Sequence, residues 1–201
     1  MIETAISLFV IWTLLLLTPG PDFVLVLRNT INGGFKEGFS TNLGITAGLT
    51  IHTTTAILGI AILSQNPLLF KIVKTIGALY IIYIGISGLL SIKKASGIKI
   101  EKTEKQFNSI KEGFFCNILN PKLPLILLGV FTQLIPPETS IPVKFLFGFE
   151  IVITSFVMWN VVALIFGNKR VLPKLQSFEK EITVIANFVL IFLGTYELLK
   201  G

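Results

Sequence analysis

The chain is short of the residues from which most chemistry is built. Among 201 residues there is one cysteine, Cys116, and one histidine, His52. A lone cysteine excludes an internal disulfide and a CxxC redox pair. A single histidine beside it excludes a His/Cys metal cluster, so no metal and no cofactor are expected. No nucleophile and base stand in a recognisable catalytic arrangement, which argues against an enzyme. Charge is also scarce, at 14% of residues against about 25% in soluble domains. The balance is basic, with a net charge of +6. No basic stripe carries interleaved aromatics, however, so nucleic acid is not an expected partner. The first Lys or Arg is Arg28. The positive start of a cleavable secretory signal is therefore missing, and the apolar N-terminal segment is expected to be retained.

What is present is apolar. Hydrophobic residues make up 52% of the chain, and the mean hydropathy is +0.81. Six apolar runs fall near 5–27, 42–63, 72–92, 113–135, 143–166 and 182–199. About 20 residues at ~1.5 Å rise cross a hydrocarbon layer of ~30 Å. Lipid satisfies no backbone polar group and the runs lack the alternation of a barrel, so helices are expected. The fold class is an all-α integral membrane protein of six transmembrane helices, a single domain over 1–201 with no soluble module. Of the Lys and Arg residues between runs, twelve lie in the loops after runs one, three and five, and four on the opposite side. The positive-inside rule then puts those loops in the cytoplasm and both termini outside a cell (inner) membrane.

Two runs are interrupted. "TPGPD" brings Pro19, Gly20, Pro21 and Asp22 into the first, and "NPK" brings Asn120, Pro121 and Lys122 into the fourth. Proline removes a backbone donor and clashes with the preceding turn, so helices 1 and 4 are expected to be broken there. A break inside the membrane frees carbonyl and N–H groups that need partners from protein, water or ligand. Pro21 suits the first position of a new half-helix, with Asp22 at its positive end. An intramembrane ionisable residue points to function, and Asp22, Lys122, Glu150 and, near an end, Glu197 are the candidates. Glu197 can reach the interface beside Lys200 and is read as an exposed end residue. Asp22 and Lys122 lie at a similar depth, roughly 9–14 Å from the cytoplasmic edge at ~1.5 Å per residue, which is compatible with an ion pair. Asn42 and Asn117 are candidates for lining a path. "GITAG" at 44–48 and "GISG" at 85–88 suit close helix packing. "KEGFSTN" at 36–42 and "KEGFFCN" at 111–117 agree at five of seven positions. Two three-helix halves are expected, with their symmetry left open.

These segments also resemble the LysE/RhtB family of amino-acid exporters. The likeness rests on "TPGPDFVLVL", "GGFKEGFSTNLGITAG", "GALYIIYIGISGLL" and "GFFCNILNPK", in that order over about residues 10–125. The last two runs agree only in length and hydropathy. The resemblance implies a six-helix secondary transporter that exports amino acids or related small zwitterions, driven by the proton gradient. Its expected partners are an amino-acid substrate, protons and membrane lipid; a homo-oligomer is left open. Half-helix N-termini suit a carboxylate, and free carbonyls with an acid suit an ammonium. Pro19, Gly20, Pro21, Asp22, Asn120, Pro121 and Lys122 are thus the expected substrate or coupling residues. The alternative is a channel or structural membrane subunit without coupled transport.

Overall fold

The computed structural model describes residues 1–18, 20–92, 108–166 and 172–200. The described residues are helical, in the order α1 (Ile2–Leu17), α2 (Pro21–Leu63), α3 (Pro67–Ile92), α4 (Ser109–Ile118), α5 (Lys122–Leu134), α6 (Ile141–Phe166) and α7 (Leu172–Lys200). Three of them, α2, α3 and α6, are long and apolar enough to cross a membrane. The pair α4 and α5, bent by 60° at its junction, supplies up to a fourth crossing; α1 and residues 184–196 are shorter apolar helices.

Residues 28–41, expected as a loop, are helical on both sides of one turn. Gly34, at φ +77 and ψ −173, is the non-helical residue inside α2. That φ is readily available to glycine and costly for other residues, so the turn falls where "GG" stands in the sequence. It reverses the chain. Residues 29 and 41 would be about 18 Å apart on a continuous helix, yet Asn29 Nδ2 donates to Thr41 Oγ1 at 2.9 Å. α2 is therefore a hairpin of two arms, 21–33 and 35–63. Other boundaries also move outward from the expected runs: α3 begins at Pro67 and α7 at Leu172. At α3 the start is fixed by Asn66, whose Oδ1 accepts from the Leu68 and Leu69 N–H groups, a cap that hydropathy does not register.

The long arm of α2 sits between α4 and α6. Against α4 it runs parallel, in a contact set by glycine. A methyl group on Gly44 would meet the Ile110 carbonyl oxygen, and one on Gly113 would meet that of Thr41. Each helix has thus removed a side chain where the other's backbone passes, as small-residue membrane interfaces do. Against α6 it runs antiparallel, from Gly38 beside Ala163 to Gly148 beside Thr53 and Ile57. α3 repeats the scheme, meeting α5 at Gly77 and Gly129, and α7 at Gly85, Gly88 and Gly194. Both small-residue motifs, "GITAG" and "GISG", are accordingly in helix contacts.

The core is built around Trp12, Leu127, Phe131, Ile151 and Leu190, joining α1, α5, α6 and α7. Large apolar residues are equally abundant outside: Ile62, Leu146, Phe149, Phe188 and Phe192 are each at least 59% exposed. A soluble monomer avoids an apolar surface of this extent, whereas a bilayer solvates it.

Gly44→Leu and Gly113→Leu are expected to force α2 and α4 apart. Overpacking of this kind costs about 1–3 kcal/mol, read as a lowered midpoint of thermal inactivation in detergent. A methyl group on Gly59 would meet no atom within 4 Å. That position should accept alanine without loss, and helix propensity favours the change by up to about 1 kcal/mol.

Candidate transport site

The polar centre of the molecule lies where α1 gives way to α2. α1 ends at Thr18, which is extended (φ −75, ψ 117), the conformation that a following proline imposes on its neighbour. Pro19 itself lies outside the described residues. Gly20 is also extended, and Pro21 opens α2 with Asp22 in its first turn. Asp22 is only 8% exposed. The site is built from there.

Across the interface α4 presents Asn117, whose Nδ2 donates to Asp22 Oδ2 at 2.7 Å. Asp22 Oδ1 and Asn117 Oδ1 are buried and have no hydrogen-bond partner. His52, from the long arm of α2, places Nε2 3.2 Å from the Asn117 carbonyl oxygen. Cys116, the residue before Asn117 on α4, lies beside Asp22. Two acceptor oxygens without donors, beside an acid at a helix N-terminus, form a place for a group that brings hydrogen-bond donors or positive charge.

Lys122 begins α5, beyond the bend. Its backbone N–H donates to Asn120 Oδ1 at 3.1 Å, so Asn120 closes the turn that Pro121 completes. Gly20, Pro21, Asp22, Asn120 and Lys122 all line one cavity of about 60 Å³, walled by Trp12, Phe23 and Trp159. At about 10–15 Å³ per water-sized probe, that is room for a few waters. Among the described residues Asp22 and Lys122 form no ion pair. The ion pair that their similar depth allowed is not formed; both residues line the cavity, and Asn117 takes the direct contact to Asp22. Trp12, one wall, is fixed by its Nε1–H donating to Ser155 Oγ at 2.7 Å.

Asn42 is fully buried and is used within the bundle: Nδ2 donates to the Phe156 carbonyl on α6 at 2.8 Å, and Thr46 donates to its Oδ1 at 3.3 Å. Glu150 is half-buried on α6 and lines neither this cavity nor another between α3, α5 and α7.

One polar cluster has no counterpart among the residues expected from sequence. Arg28 pairs with Glu112 at 2.6 Å. Asn29 donates to the same carboxylate at 3.2 Å and to Thr41, while Ser109 donates to Glu37 at 2.5 Å. The cluster ties both arms of α2 to α4, about 9 Å from Asp22 along the short arm at ~1.5 Å per residue. Its glutamates, Glu37 and Glu112, occupy the same position in the two "KEGF" segments. The repeat is visible in sequence, but only the turn at Gly34 shows that the two copies pack side by side.

A helical chain with an apolar exterior, multiple membrane-crossing helices and a buried polar centre is a multi-pass integral membrane protein. It belongs to the LysE family: the LysE type translocator pattern matches residues 13–201. The uncharacterized membrane protein YrhP of Bacillus subtilis (strain 168) is 27% identical over 192 residues, covering 90% of this chain and 91% of that protein. The leucine efflux protein of Salmonella typhimurium (strain LT2) is 31% identical over 132 residues, covering 63% of this chain and 62% of that protein. The leucine efflux protein of Salmonella typhi matches to the same extent. No solved structure matches the chain.

A double-mutant cycle separates the two candidate partners of Asp22. Asp22→Ala with Asn117→Ala should show a coupling of about 1.5–3 kcal/mol, the range for a hydrogen bond to a charged group. Asp22→Ala with Lys122→Ala should show less. Unfolding in mixed micelles measures both, and the reverse order would contradict the geometry.

Proposed function

We propose that this protein is a secondary transporter that exports amino acids or related small zwitterions across the cytoplasmic membrane, by proton antiport, with Asp22 and Lys122 at the transport site. The observation that carries the reading is the shared cavity: a buried carboxylate with a partnerless oxygen and a lysine line it together, at the interruption between α1 and α2. A zwitterion brings an ammonium for Asp22 Oδ1 and a carboxylate for Lys122. The N-terminal N–H groups of α2 and α5 face charge with their positive ends, favouring the anionic end of a substrate or the ionised acid. Membership of the LysE family and likeness to leucine efflux proteins support an amino-acid cargo.

The chain then forms a single transmembrane domain of six spans. α1 with the short arm of α2 makes the first, the long arm the second, α3 the third, α4 with α5 the fourth, α6 the fifth and α7 the sixth. The Arg28–Glu112 end faces the cytoplasm, by the excess of cations on that side, and both termini lie outside. A proton on Asp22 and an ammonium bound to it are mutually exclusive, which gives an antiport cycle its exchange rule. A cavity of about 60 Å³ admits a leucine-sized solute only when the walls move, so binding and opening are linked. Phe23 and Trp159, 6.2 Å apart between ring centres, are the groups in the way.

Vesicles loaded with labelled L-leucine under an imposed pH gradient test this. Gradient-driven efflux is expected in the wild type, abolished by an uncoupler and lowered at least tenfold by Asp22→Asn and by Lys122→Ala. Flux that ignores the uncoupler would favour a channel, and full activity in Asp22→Asn would remove Asp22 from the mechanism.

A further inference from the structure

Both tryptophans of the chain, Trp12 and Trp159, line the cavity that holds Asp22 and Lys122. They belong to different apolar clusters. Trp12 is part of the large one, with Leu127 and Phe131, and Trp159 is part of a smaller one, with Val26, Ile45 and Ala163. The cavity thus lies on the seam between the two clusters. Its walls are held by unlike means. Trp12 is 2% exposed, and its indole N–H donates to Ser155 Oγ at 2.7 Å. That hydroxyl donates in turn to the Ile151 carbonyl of α6 at 2.9 Å. Swinging Trp12 aside would strand a buried donor, so its polar edge is pinned to a neighbouring helix. Trp159 meets Phe23, and Phe23 meets Phe166 at 6.0 Å between ring centres. Such ring contacts are met over a range of separations and angles. Opening the cavity therefore displaces Phe23 and Trp159 and leaves Trp12 in place.

The lining also limits what a ligand can bring. Among the described residues that line the cavity, Asp22 and Lys122 are the only charged ones, and Leu15, Leu16, Leu123 and Ile126 supply apolar wall. Once the ammonium and carboxylate of an amino acid are matched to Asp22 and Lys122, a charged side chain would be desolvated with no partner. Ile126 lies four residues after Lys122, on the same face of α5, and shares the large cluster with Trp12. The apolar wall next to Lys122 is therefore continuous with Trp12.

We propose that Trp12 is the specificity-determining residue of this site: its anchored indole admits α-amino acids with neutral aliphatic side chains and excludes aromatic ones. A movable wall would adapt to either kind, whereas a pinned one discriminates by a clash with the larger ligand. Ser155 is a positioning residue that acts through Trp12. That the ligand is an amino acid held by Asp22 and Lys122 rests on the proposed function; the size limit set by Trp12 goes beyond it.

The test is equilibrium binding of labelled L-leucine to the full chain in detergent, with unlabelled L-leucine, L-phenylalanine, L-lysine and L-glutamate as competitors. In the wild type the last three are expected to compete at least tenfold more weakly than leucine. Trp12→Leu is expected to raise the affinity for phenylalanine relative to leucine at least tenfold and to leave lysine and glutamate excluded. Ser155→Ala keeps every lining residue and frees the indole, so it should shift the same ratio at least threefold. Trp159→Leu should change both affinities together and keep their ratio within twofold. A ratio measured in one preparation does not depend on the fraction of folded protein, so partial unfolding cannot imitate these shifts. The inference is overturned if the wild type binds no leucine, if phenylalanine competes with it as well as leucine does, or if the ratio is unchanged in Trp12→Leu or Ser155→Ala. Gradient-driven leucine export with an unchanged ratio would remove Trp12 from specificity and leave the transport reading standing. A shifted ratio in a protein that exports nothing would refute the transport reading and leave the size limit standing.

Discussion

The polar interior depends on how closely α4 approaches the long arm of α2. Gly44 and Gly113 let two helical backbones touch. Without that approach Asn117 would not reach Asp22, and a carboxylate would be left in an apolar bundle with no donor. A lone buried charge is costly, and one good hydrogen bond offsets only part of the cost. The helix N-terminus at Pro21 adds a second favourable contribution. The acid is thus held by geometry that leaves one oxygen unclaimed. A fully paired acid would be inert, and an unpaired one would not be retained in the bundle.

The same contact links the site to the membrane edge. α4 carries Glu112 near one end and Asn117 five residues later, so Arg28 and Asp22 are both tied to one short helix. Any movement of α4 relative to the short arm of α2 must break or lengthen both links. α4 also adjoins the 60° bend that leads to Lys122. Three of the charged residues in this region therefore respond to the position of ten residues, Ser109–Ile118.

Much of this was legible in the sequence, for reasons that are physical. Apolar runs announce membrane helices because lipid admits few alternatives, and "TPGPD" and "NPK" announce irregular backbone because proline cannot donate. Depth counting suggested an Asp22–Lys122 ion pair; the two residues line one cavity without forming it. What hydropathy could not convey was the hairpin at Gly34. Residues 28–41 are polar, and a polar helix at the membrane edge looks like a loop until its turn is known. With the hairpin hidden, Arg28 and Glu112 seemed to be solvated charges in separate loops. The preference of Asp22 for Asn117 over Lys122 was also out of reach, because it depends on a helix crossing set by glycines 44 and 113. Asn42, from an equivalent position in the other "KEGF" segment, bonds α6 instead, so the repeat in sequence does not carry a repeat in role.

The central claim is that the start of α2 lies against α4 inside the membrane, with Asp22 facing the Asn117 turn. Cys116 is the only cysteine in the chain, and it lies beside Asp22. Asp22→Cys therefore creates a single testable pair, since a disulfide forms only when the two Cα atoms come within about 7 Å. On mild oxidation of the purified variant, the count of free thiols should fall from two to none, with no dimer formed. Two free thiols under the same oxidation would contradict the account.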